Sequence, residues 1–317
     1  MVATRSRIVA LGKETTWGTA VAATARLMGL VEASFRPDDV TEVLPDLGRF
    51  SPSPNALQLQ QSASGTLQVY GTYEDLPYIL DGIFGEVAAS GSNPYTYSYA
   101  APIGTAATPK KYSVEYGATG AAYVMSGGLM KTLRVAGTAG RWWEVSTDLL
   151  GEAIATVTLA SLNDRTVEPI RMADTACYID AWGGTIGSTS GGKLISFELN
   201  VDTMRHLKFF AGALLPTDHG EDKWEGTLQT VLEFNSTSKA YVDALLSAKV
   251  QRLIEIKATS GSKIAEIQFA GTLIDGVELF SDRDGNMTVE LTWAGTYNST
   301  FGNWLKAEVV NAVSALA

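Results

Sequence analysis

Single-residue alternation of apolar and polar side chains runs through most of this sequence, and that period suits a strand with one buried and one wet face. Between Leu194 and Asp202, Ile195, Phe197, Leu199 and Val201 fall on one side and Ser196, Glu198, Asn200 and Asp202 on the other. Met287, Val289, Leu291 and Trp293 alternate with Thr288, Glu290 and Thr292, and Tyr112, Val114 and Tyr116 with Ser113 and Glu115. Ile267, Phe269, Gly271 and Leu273 form another set. Turn pairs divide these runs at Gly127-Gly128, Gly183-Gly184 and Asp284-Gly285. The pattern predicts a mainly β fold. Helical spacing is confined to residues 76–84, 236–248 (with Asn235 or Ser236 as cap), 203–215 and an Ala-, Leu- and Val-rich stretch over 303–317, read as a C-terminal helix.

The order of these segments repeats. Gly65-Thr66-Leu67-Gln68 returns as Gly226-Thr227-Leu228-Gln229, an offset of 161. A strand ending at Tyr73 or Phe234 follows in each copy, then a short helix carrying Tyr78-Ile79-Leu80-Asp81-Gly82 or Tyr241-Val242-Asp243-Ala244. Gly127 and Leu129 align with Gly271 and Leu273 at an offset of 144, and 161 − 144 = 17 fits an insertion over residues 88–109. Upstream, residues 26–35 have a counterpart in either 177–186 or 194–202. The expected architecture is a tandem pair of β-sandwich or barrel units, each with a short helix, plus an extended arm and loops. The first unit spans 1–168 and the second 169–317, with a linker around Arg165, Pro169 and Arg171.

Residues 33–62 break the alternation with Pro37, Pro45, Pro52, Pro54 and the acids Asp38, Asp39, Glu42 and Asp46. So long a loop in a compact domain is usually functional or disordered, and here it reads as an arm that orders against a neighbouring copy. The formal net charge of −10, with no basic block, argues against tight nucleic-acid binding, though like-charge repulsion lets a polyanion slide past. One cysteine, Cys177, excludes an intrachain disulfide. The apolar run at residues 8–11 is too short for a signal peptide, and no stretch reaches the roughly 18 apolar residues of a spanning helix, so a soluble protein made in the cytoplasm and not exported by a cleavable signal is expected.

Motifs with chemical meaning fall short. Gly187-Ser188-Thr189-Ser190-Gly191-Gly192-Lys193 has phosphate-loop spacing, but Leu194 stands where a magnesium-binding hydroxyl belongs and a strand follows. Asp282-Arg283-Asp284-Gly285-Asn286 fails the calcium-loop pattern at its sixth and twelfth positions, Met287 and Trp293, and reads as a hairpin turn. His206, His219 and Cys177 are too few for a structural zinc site, and no serine lies in a Gly-x-Ser-x-Gly elbow. Trp142, Trp143 and Trp182 read as core or subunit-interface residues rather than a ligand platform. No enzyme activity, cofactor or metal is expected.

Lys13-Glu14-Thr15-Thr16-Trp17-Gly18-Thr19-Ala20, with residues 8–12 before it and 22–30 after it, resembles the opening of siphophage tail tube proteins. Gly65-Thr66-Leu67 and its helix match a second family feature, and the repeat is similar to the family's two-unit form. The resemblance implies edge-to-edge joining of sheets into a barrel that lines a ring, three chains making a pseudo-hexameric ring. Rings would stack head-to-tail into a hollow tube in the virion tail. Implied partners are the chain itself, tape measure, terminator and distal tail proteins, and duplex DNA that passes without tight binding; no membrane is implied. Inter-ring contacts then fall to Glu14, Thr16, Trp17, Arg36, Asp38, Asp39, Glu42 and Phe50. The lumen-lining candidates are Gln68, Gln229, Glu198, Asn200 and Asp202, although alternation alone does not separate lumen from outer surface. Alternatives are a monomeric carbohydrate-binding β-sandwich of a surface adhesin and a small hydrolase on a β scaffold.

Overall fold

The computed structural model describes residues 6–45, 48, 50–245, 249–274, 281–283 and 285–317. In chain order the first half contains β1 (Ile8–Lys13), β2 (Ala25–Leu27), β3 (Leu30–Pro37), β4 (Val40–Val43), β5 (Ala56–Gln60), β6 (Ala63–Tyr70), α1 (Leu76–Phe84), β7 (Tyr95–Ala100), β8 (Tyr112–Ala118), β9 (Ala121–Met130), β10 (Thr132–Thr138), β11 (Trp143–Gly151) and β12 (Ala153–Thr156). The second half contains β13 (Thr175–Ala181), β14 (Leu194–Asp202), β15 (His206–Lys208), β16 (Asp218–Gly220), β17 (Glu225–Glu233), α2 (Ser236–Leu245), β18 (Gln251–Ser260), β19 (Lys263–Leu273), β20 (Ser281–Arg283), β21 (Asn286–Gly295) and β22 (Leu305–Asn311).

One antiparallel sheet organises the molecule. Its strands run β3–β6–β11–β10 and continue β14–β17–β21–β20. The same pairing order occurs twice: β3 lies against β6 as β14 lies against β17, and the hairpin β10–β11 corresponds to β20–β21. Residues 26–35 therefore answer to 194–202 rather than 177–186. The two quartets meet at β10 and β14, in register from Thr132↔Asp202 to Thr138↔Ser196.

A second layer covers one face of this sheet. In the first half it runs β2–β1–β8–β9–β12 and in the second β13–β18–β19–β22–β7. β9 also reaches β11 through Leu149↔Met130, and β19 reaches β21 through Gly271↔Gly295, so each sandwich closes along one corner. Between the layers lie Leu67, Val69, Val145, Leu149, Phe197, Leu199, Leu228, Val289 and Leu291, with Trp143 and Trp293 fully excluded from water. Burying an aromatic side chain of this size contributes on the order of 5 kcal/mol before entropy is counted.

Both short helices have local reasons to start and stop. The Thr72 hydroxyl accepts the Asp75 amide, Pro77 fits the first turn, and Gly85, at φ 114°, donates back to the Asp81 carbonyl. Every residue of α1 is buried. At α2 the cap is Asn235, whose side-chain Oδ1 accepts the amides of Thr237 and Ser238. Of the expected helix over 236–248, residues 246–248 lie outside the described residues.

Several expectations are corrected. Residues 303–317 do not form a C-terminal helix: β22 occupies 305–311, held between β19 and β7, because Leu305, Ala307 and Val309 alternate into the core. Residues 203–215 hold no helix either; His206 starts β15, paired with β16. Gly127-Gly128 is a bulge inside β9 rather than a turn, with Gly127 at φ 64° and the register against β8 shifting there. Residues 33–37 belong to β3, so the break in alternation begins only at Asp38. Met287 is exposed although Val289, Leu291 and Trp293 of its set are buried. Insertion 88–109 contributes a strand, β7, to the outer sheet of the opposite half.

Candidate assembly surfaces

The uncovered face of the long sheet is mostly polar, interrupted by Leu150 and Val231. Register places Gln68 opposite Ser146 and Glu32, Glu198 opposite Gln229, Asn200 opposite Arg134 and Thr227, and Asp202 opposite Thr132 and Glu225. All five lumen candidates, Gln68, Gln229, Glu198, Asn200 and Asp202, thus share one face. Carboxylates on that face are Glu32, Glu144, Asp148, Glu198, Asp202, Glu225, Glu233 and Glu290; among the described side chains of its strands they stand against the guanidinium groups of Arg36 and Arg134, and Lys193, just before β14, pairs with Glu233 at 3.2 Å.

Both arginines are engaged. Arg134 donates to Glu198 at 2.7 Å across the joint between the quartets, with Glu144 at 4.0 Å on its other side. This hydrogen bond holds the Glu198 carboxyl below its usual range and raises the guanidinium. Arg36 donates to Ser64 at 3.1 Å and pairs with Asp38 at 2.9 Å. The face therefore offers a polyanion fixed negative charge and little free positive charge.

The sheet's edges differ from its middle. Among the described residues, β3 pairs with β6 alone and β20 with β21 alone. β3 occupies the position of β14 but lacks a β10 beside it, and β20 occupies the position of β10 but lacks a β14. Each edge has the shape that the other's missing neighbour requires.

The two corresponding connections also diverge. Between β14 and β17 the chain folds down through β15 and β16, fastened by Arg205. This buried side chain donates to the carbonyls of Gly82 (3.0 Å), Ile83 (2.6 Å) and Met130 (2.7 Å) and to Glu221 (2.8 Å), and lies over Trp224. Between β3 and β6 the chain instead extends as the hairpin β4–β5, whose strand residues are all exposed. Asp39 accepts from Gln58 at 3.0 Å, Glu42 stands opposite Leu57, and Phe50 near the tip is fully exposed. Asp46 lies outside the described residues.

The opening motif is mostly turned inward. Glu14 is buried, and its carboxylate accepts Ser113 Oγ (2.7 Å), the Gly127 amide (2.8 Å) and the Gly18 amide (3.0 Å). Trp17 donates to the Gly127 carbonyl at 3.0 Å and meets the edge of His219. Glu14 and Trp17 thus fasten the first loop to the β9 bulge, whereas Thr16 is exposed. Residues 8–13, which lead into this motif, are β1, inside a sheet, and residues 1–5 lie outside the described residues. The backbone ladder gave the sequence no local signature for the free edges, and Arg205 sat in what looked like a helix.

The remaining motifs are structural. Asp180 accepts Ser188 Oγ at 2.6 Å and the Thr189 amide at 2.8 Å, folding the Gly187–Lys193 run back onto β13. Asp282 accepts the Gly285 amide at 3.0 Å in the β20–β21 hairpin, with Asp284 outside the described residues. No group of three or more His, Cys, Asp or Glu arranged for a metal occurs among the described residues. Burial pushes the Cys177 thiol up to about 12.

The sequence profile of a family described as phage tail tube protein matches residues 4–296. The chain belongs to the phage tail tube family. It is a structural component of a bacteriophage tail, and its mainly β architecture of packed antiparallel sheets suits a tail tube protein. No curated protein matches the chain.

Proposed function

We propose that this tail tube protein forms rings by pairing β3 of one copy with β20 of the next, and that the rings stack into a tube that conducts duplex DNA. The observation that carries this reading is the β10–β14 joint. It is a seven-residue ladder between two quartets of the same strand order, and it leaves at the sheet's ends the two edges that would rebuild the same joint between molecules. On this reading the chain is two fused tube units divided near residue 168, three chains supply six quartets, and closure removes the free edges. The uncovered polar face then lines the lumen, where its carboxylate excess keeps DNA from adhering. The tube is synthesised in the host cytoplasm, joins tape measure, terminator and distal tail proteins in a siphophage tail, and performs no catalysis.

The test is the mass and image of purified protein. Trimeric rings or tubes under negative stain, with three-fold mass by light scattering, are expected. A stable monomer across the micromolar to millimolar range, with no ring in any field, would refute the reading.

A further inference from the structure

The two ends of the long sheet carry complementary chemistry. At one end, past Pro37↔Ala63, the exposed β4–β5 hairpin departs. Its register sets Glu42 and Leu57 on one face, and strand alternation adds Leu59 to that face. Leu57 and Leu59 are 50% and 43% exposed, so this acidic and apolar face is uncovered within the molecule. At the opposite end lies the turn joining β10 to β11, which presents Arg141 and Trp142. Trp142 is 49% exposed, with the ring of Tyr70 set edge-on to it. Arg141 is exposed and has no carboxylate partner among the described residues.

Arginine, tryptophan and tyrosine are the residue types that dominate binding energy at protein interfaces, and here they cluster on a turn where folding alone leaves them half wet. An isolated two-stranded hairpin is marginal in water, so β4–β5 is stabilised by whatever covers its apolar face. A contact between unlike ends of one molecule is heterologous and propagates without closing.

We propose that Arg141 and Trp142 receive the Glu42–Leu57–Leu59 face of the β4–β5 hairpin from a second copy of this chain in the adjoining ring. The inference rests on the tube reading above and adds the acceptor to it. Glu42 pairs with Arg141 across the ring boundary, and the leucines cover the Trp142 indole.

Paired cysteines test the geometry directly, because Cys177 is buried and does not interfere. Tubes of a Leu57→Cys, Trp142→Cys double variant, oxidised and run without reductant, should give a ladder of dimers, trimers and longer chains, since each molecule links to the next ring. Cross-links that stop at a closed trimer place the hairpin within its own ring, and their absence places it elsewhere; either result overturns the proposal. In parallel, Arg141→Glu should keep the melting temperature and ring formation while tube yield falls at least about tenfold, as for loss of a hot-spot residue. Glu42→Lys combined with Arg141→Glu should restore part of the yield. Normal tubes from Arg141→Glu would sink the acceptor assignment and leave the tube reading standing, whereas wild-type protein that never forms rings would remove both.

Discussion

Arg205 offers the sharpest energetic test of how the two halves are held together. It comes from the second half, yet three of its four acceptors, the carbonyls of Gly82, Ile83 and Met130, belong to the first. Gly82 and Ile83 end α1, where carbonyls lack helical partners. Replacing Arg205 with Ala strands these carbonyls and leaves the Glu221 carboxylate buried with only Trp224 Nε1 and the Ala107 amide. Removing one partner of a buried ion pair typically costs about 3–5 kcal/mol. For a chain of 317 residues unfolding as one unit, the entropy near the midpoint is roughly 0.7 kcal/mol per kelvin, so about 4 kcal/mol lowers the midpoint by about 6 °C. Differential scanning calorimetry on the unassembled protein measures this. Arg205→Met with Glu221→Gln should recover part of the loss, because no charge remains unpaired. A midpoint lowered by less than about 1 °C in Arg205→Ala would show that the clamp does not couple the halves.

Asp81 gives a pH-dependent counterpart. Burial pushes its carboxyl up to about 6, opposed by the Tyr99 hydroxyl at 2.8 Å and by Lys13. A carboxyl that holds its proton more tightly when folded favours the native state at low pH and loses that contribution as pH rises through about 6. Asp81→Asn should therefore gain about 1–3 kcal/mol over the parent at pH 8 and lose most of that advantage by about pH 4, near the unfolded carboxyl's own range, read from urea midpoints at both pH values. Replacing residues 39–60 by a short Gly-Ser linker should leave a folded protein, since every β4–β5 residue is exposed, but abolish tubes in electron micrographs. Purified tubes should bind duplex DNA negligibly at physiological salt in a filter assay, and Glu198→Gln with Glu144→Gln, which unmasks Arg134, should produce measurable, salt-sensitive retention.

What the sequence disclosed was whatever is written in nearest neighbours. Alternation marks β14 and β21 because one buried face imposes a strict period, and the five proposed lumen residues fall on one face for the same reason. Helix α1 is legible from its 3.6-residue spacing and Pro77. By contrast, 303–317 is rich in helix-forming alanine and leucine, yet the open slot between β19 and β7 decides its conformation, and nothing local announces that slot. The bulge at Gly127 is set by a carboxylate more than a hundred residues away, Glu14. Which edges stay unpaired is a property of the whole ladder, so β3 and β20 look no different in sequence from the strands that find partners.

Strand β7 leaves the first half to lie beside β22 in the second, in register from Tyr95↔Asn311 to Ala100↔Lys306. The covalent link near residue 168 is therefore not the only tether across the molecule's midline, and cutting it would not free the halves. In the proposed tube, strained by bending or by the pressure of packaged genome, the midline would have a strap and the seams between molecules none drawn from this strand. Mechanical failure is expected to follow those seams, splitting the wall between whole chains and leaving each subunit intact and reusable.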